Sequence, residues 1–233
     1  MNMPARMVVD EKTGLTETRE TGRPPQPALL RYPAVLISWL FHPVFVPVYL
    51  VLFMVFVHPY LFAGFSEWDK VKVVIQAFVM FTFFPVVTVL LLKALNFIGS
   101  FYLRTQKDRI IPFIACGIWY FWIWYVWRNL PDYPKESVAL TFAVFVASWL
   151  GLMFNIYMKV SMHAIAMGTA MTFILMLSLR GSVNPGIYLS VAVFCTGLVA
   201  TARLIVSDHT EKEVYAGLLA GCIAQVAAFL IFV

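Results

Sequence analysis

The stretch Ala202–Gly217, ARLIVSDHTEKEVYAG, sets His209 four residues ahead of Glu213, with Arg203 six residues before the histidine. On a helix, positions four apart share a face. A carboxylate placed there accepts a hydrogen bond from one imidazole nitrogen and leaves the other unprotonated, able to attack an electrophile. Arg203 adds a permanent forked cation suited to phosphate oxygens. Ser207 or Asp208, with Glu211 three residues after Asp208, reads as a capping box, so a helix is expected to begin near Asp208. His209 would then lie in the first turn, where unpaired amides and the helix dipole favour an anion.

Two further segments carry polar residues that an apolar chain does not need. In KVSMH (Lys159–His163), Ser161 is placed to cap a helix, and His163 is placed to donate a proton to a leaving group. In YLRTQKDRIIP (Tyr102–Pro112), Arg104, Lys107 and Arg109 can neutralise a dianionic phosphoryl group, although these cations and Lys159 also read as charges flanking a membrane. His42, in FHPVFVP near the start of the first apolar run, is placed either to reach the site or to bond a carbonyl that a proline frees, the second being the favoured reading.

The elements that must position these residues are membrane spans. Of 233 residues, 61% are hydrophobic and 12% charged, with apolar runs at 34–57, 73–98, 111–128, 138–158, 162–179, 186–206 and 212–233. Pro43 and Pro47 in the first run predict a kinked or re-entrant segment, leaving six full crossings. The expected fold is all-α, a polytopic transmembrane bundle of six or seven spans. Residues 1–30 read as a flexible polar tail and 31–233 as the transmembrane domain. An even number of crossings separates each polar segment from the next, so all three share one membrane face whether or not the first run crosses.

Cys116, Cys195 and Cys222 lie inside spans without paired spacing and read as packing residues. The net charge of +5 is scattered over span ends, which argues for a bilayer and against nucleic acid as the partner. The aromatic run Trp119–Trp127 reads as a lipid-facing belt.

In order and spacing the three segments resemble the motifs KxxxxxxRP, PSGH and SRxxxxxHxxxD of the type-2 phosphatidic acid phosphatase superfamily, which joins membrane lipid phosphatases to acid phosphatases related to vanadium haloperoxidases. The third matches best, with Arg203, His209 and Glu213 in register and Ala202 and Glu213 replacing Ser and Asp. The second keeps Ser161 and His163 but has Val160 and Met162 for Pro and Gly. Aligned on Pro112, the first has Arg104 for the lysine and Ile111 for the arginine, with Lys107 or Arg109 available to supply the missing charge. The resemblance runs from about Arg104 to Gly217 and marks a divergent relative.

It implies His209 as nucleophile, Glu213 as its orienting acid, His163 as general acid, and Arg203, Arg104 and Ser161 as phosphoryl ligands. The expected activity is an integral-membrane lipid phosphate or diphosphate phosphatase working through a phosphohistidine, with no metal or cofactor. A lipid-phosphate-binding protein without turnover and a phosphotransferase use the same residues. A metal or haem site is disfavoured by Arg203 and the neighbouring cations. The expected location is the bacterial inner membrane. Lys and Arg in the tail and in the polar segments place that face in the cytoplasm.

Overall fold

The computed structural model describes residues 6–10, 14–18, 26–101, 103, 105–180, 185–206 and 209–233. In the tail, β1 (Arg6–Asp10) and β2 (Gly14–Thr18) pair as an antiparallel hairpin.

After the tail the regular structure among the described residues is helical, and six of these helices are long and apolar enough to cross a membrane. They are Glu67–Ala94, α5 (Gln106–Arg128), α6 (Lys135–Tyr157), α7 (Met162–Leu179), α8 (Pro185–Val206) and α9 (Glu211–Phe232). Several start earlier than hydropathy predicts because their first turns are polar. Ser66 caps the first of the six, accepting from the Asp69 amide, and Thr105 caps α5 through the Asp108 amide. The first apolar run is not among the six, because it forms no single long helix. It is broken into α1 (Ala28–Leu40) and α2 (Val46–Leu52), the latter extended by a π turn at Phe53–Val57.

Proline chemistry accounts for the break. Pro43 disfavours helical backbone at His42, while Pro47 sits at the start of α2, where a missing amide is harmless. The carbonyls this leaves are taken up locally. His42 O accepts from Phe45 N at 2.8 Å, and Val44 O accepts from Thr82 Oγ1 at 2.8 Å. Thr82 is available because its own span widens into a π turn, Val79–Phe83, between α3 (Glu67–Phe78) and α4 (Phe84–Ala94), just ahead of Pro85.

The tightest pairing is between α7 and α9. A Cβ on Gly221 would lie 2.2 Å from the Ile165 carbonyl oxygen, and one on Gly168 would lie 2.3 Å from that of Leu218. Only glycine permits such backbone contact, the usual basis of close helix packing in a bilayer. At the same end, Gln106 and Asn155 exchange side-chain-to-carbonyl bonds of 2.8 Å, tying the start of α5 to the end of α6. The opposite end is sealed by Trp127, fully buried and donating to Gln76 Oε1 at 3.0 Å.

Candidate functional site

The N-termini of α5, α7 and α9 converge, and direct bonds between their leading segments hold them together. Arg109 Nη1 donates to Val160 O at 2.8 Å, and Ser161 N donates to Glu213 O at 3.2 Å. The three polar segments therefore meet on one face, as the even spacing of crossings requires, and three positive dipole ends point the same way.

Helix α9 begins later than expected. Its N-cap is Thr210, and the capping box is Thr210 with Glu213, which moves His209 to the position just before the cap. The reason lies in reach: a carboxylate at the third helical position turns back to the N-cap amide, here Thr210 N at 2.9 Å from Glu213 Oε2. The same oxygen lies 3.3 Å from His209 Nδ1, which is also 3.0 Å from the Lys159 carbonyl. Both partners accept, so Nδ1 carries the proton and the lone pair resides on Nε2. Ser207 and Asp208 lie outside the described residues.

His209 is buried, and burial pushes its pKa down from 6.5 to about 4. The Glu213 hydrogen bond opposes the shift, while the Arg109, Arg203 and Lys159 charges add to it. The imidazole is neutral at ordinary pH.

His209 lies on the wall of a cavity of about 1120 Å³. Its described lining includes Arg31, Arg109, Lys159 and Arg203 and no carboxylate, which makes the polar end suited to an anion. The wall also carries apolar side chains, among them Val86, Val89 and Leu90 of α4, Phe113 of α5 and Leu50 of α2. Tyr120, from the aromatic run read as lipid-facing, also lines it, whereas Trp122 and Tyr125 point outward.

The predicted residues divide. His209, His163, Arg203 and Arg109 line the cavity together, and Glu213 stands behind His209. Two of the Arg109 donors are engaged by backbone carbonyls, Nε by Leu103 O and Nη1 by Val160 O, both at 2.8 Å. Arg109 thus pins the Leu103 loop, whose φ of 47° is left-handed and uncommon for a leucine. Ser161 is fully buried, its hydroxyl accepting from Ala164 N, and it is not part of the lining. Lys107 is exposed and off the wall. Arg104 lies outside the described residues.

The broken first run also reaches the site. Ser38 Oγ accepts from Arg203 Nη1 at 3.3 Å, and the Ser38 carbonyl lies 3.0 Å from His163 Nε2. The His42 ring lines the cavity and meets that of His163 edge to face, centroids 5.4 Å apart. Desolvation by the surrounding cavity walls, and secondarily the Arg203 charge, lowers its pKa to about 4, although the residue is itself open to the cavity. Of the two roles the sequence left to His42, the favoured one, satisfying a freed carbonyl, is not what the structure has: Phe45 and Thr82 serve the carbonyls on either side of Pro43, and the ring faces the cavity. The available signal was a His-Pro pair in an apolar run that could not continue as one helix.

A scan against protein-family models and searches of curated proteins and of solved structures find no match to this chain.

Proposed function

We propose that this multi-pass membrane protein is a lipid phosphate or diphosphate phosphatase acting through a phosphohistidine on His209. The observation that carries the reading is a neutral imidazole, fixed by Glu213 and the Lys159 carbonyl, on the wall of a cavity lined by four cationic side chains and many apolar ones. His209 Nε2 attacks phosphorus while Arg203, Lys159 and Arg31 offset the phosphoryl charge. An imidazole of the His42 and His163 pair protonates the leaving oxygen. The apolar lining takes the hydrocarbon chain. The resemblance to the type-2 phosphatidic acid phosphatase superfamily points the same way, and no step calls on a metal or cofactor.

A second reading is binding without turnover. It is favoured by Ser161 and Arg109, expected phosphate ligands whose hydroxyl and two donors are engaged inside the protein. Phosphotransfer to an acceptor other than water would use the same groups. Acid-labile phosphohistidine trapped from a labelled lipid phosphate, and lost in His209→Ala, supports the enzyme; wild-type turnover by that variant overturns the nucleophile. Binding with no trapped intermediate supports the second reading.

The site face is proposed to be cytoplasmic in a bacterial inner membrane, from Arg6, Lys12, Arg19, Arg23 and Arg31 preceding or opening the first helix. Single-cysteine labelling tests it at Thr105 and Ser66, which cap opposite ends of the bundle. Labelling of position 105 from outside intact cells, with position 66 protected, overturns that assignment.

A further inference from the structure

Two imidazoles share the cavity wall beside Arg203, and their bonding differs. His163 Nε2 is 3.0 Å from the Ser38 carbonyl, and because a carbonyl only accepts, this nitrogen carries its proton toward backbone. The His42 ring is accessible from the cavity, and among the described residues it has no hydrogen-bond partner. Its place is held by the turn around Pro43, which the bond from Thr82 to the Val44 carbonyl anchors to a neighbouring span.

We infer that His42, contributed by a segment outside all three polar motifs, is the catalytic acid and base of the reaction, and that His163 is a positioning residue holding α1 against the site. The inference rests on the phosphohistidine reading. In the first half, a bond forms from His209 Nε2 to phosphorus as the bond from phosphorus to the lipid oxygen breaks. That oxygen keeps the electron pair, takes the His42 imidazolium proton and leaves as the alcohol. In the second half, water attacks the phosphohistidine and gives a proton to neutral His42. The phosphorus–nitrogen bond breaks with its pair returning to His209, and phosphate departs. Burial and Arg203 disfavour the His42 cation in the empty site; a phosphoryl dianion supplies the opposite charge that favours it once substrate is bound.

The test compares dodecyl phosphate, whose alkoxide needs a proton, with 4-nitrophenyl phosphate, whose leaving group does not, in the full-length chain. His42→Gln and His42→Asn are expected to lower dodecyl phosphate turnover by about 10²-fold or more and 4-nitrophenyl phosphate turnover by less than about tenfold. Phosphohistidine from the aryl ester is expected to persist in both variants, and His163→Gln is expected to slow the two substrates equally. Equal losses on both substrates in both His42 variants, or no loss on either, overturn the assignment. A selective loss on dodecyl phosphate in His163→Gln alone moves the proton to His163 and also overturns it. If the wild type forms no phosphohistidine, the functional reading fails and the role of His42 falls with it. Wild-type phosphohistidine with unselective His42 variants overturns the role alone.

Discussion

Helices α7 and α9 and the broken pair α1 and α2 both serve the same cavity, but they are built in opposite ways. The first pair meets backbone to backbone through Gly168 and Gly221, with Ala220 and Ala224 fully buried, and His209, the proposed nucleophile, immediately precedes the N-cap of α9. The second pair is interrupted by proline, leaves Leu36, Trp39 and Leu40 largely exposed, and brings Arg31, Ser38 and His42 to the polar part of the site. A nucleophile needs fixed geometry, which close glycine contacts supply. Irregular backbone, in contrast, exposes side chains to a cavity that a continuous helix would have turned toward lipid.

Gly221→Leu attacks the tight pair directly. It is expected to cost about 3 kcal/mol or more through overpacking against Ile165 and Thr169, whereas Leu36→Ala on exposed α1 stays within about 0.5 kcal/mol. Thermal unfolding in detergent measures both, and similar shifts would erase the contrast.

Glu213→Gln tests the orientation of the nucleophile within that pair. A carboxylate behind a catalytic histidine can be worth about 10⁴ in kcat when it alone sets the tautomer. Here the Lys159 carbonyl also holds Nδ1, so a loss of roughly 10²-fold is expected, measured as kcat on a lipid phosphate.

Acidity separates the two regions less than their architecture does. His209 and His42 both have pKa values lowered to about 4. Each neutral ring therefore persists as pH falls below 6.5 and is protonated only near 4. An unfolded chain takes up these protons first, so stability is lost as pH falls from 6.5 toward 4. Histidine ¹⁵N NMR at pH 5.5 is expected to show both rings neutral; half-protonation of His209 near 6.5 would contradict its burial.

The smallest effect is at the seam between the regions. Ser38→Ala removes the acceptor for Arg203 but keeps the carbonyl that holds His163. About 1 kcal/mol, roughly a fivefold rise in KM with kcat nearly unchanged, is expected from steady-state kinetics.

Much of this architecture was legible in the residues alone. Hydropathy runs set the six long helices, Pro43 and Pro47 marked the break, and the even spacing of crossings brought the three polar segments together. The spacing of His209 and Glu213 already implied a hydrogen-bonded pair, since that contact spans four residues and depends on local geometry. Tertiary structure decided the rest. Lys107 faces outward and Arg109 inward, Ser161 caps instead of lining, and Glu213 serves the helix cap and the histidine together. Ser38 and His42 enter the site across more than a hundred residues of sequence, through Arg203 and His163. Periodicity fixes which face a residue takes on its own helix, but a contact between distant segments depends on how whole helices pack, and no local spacing encodes that.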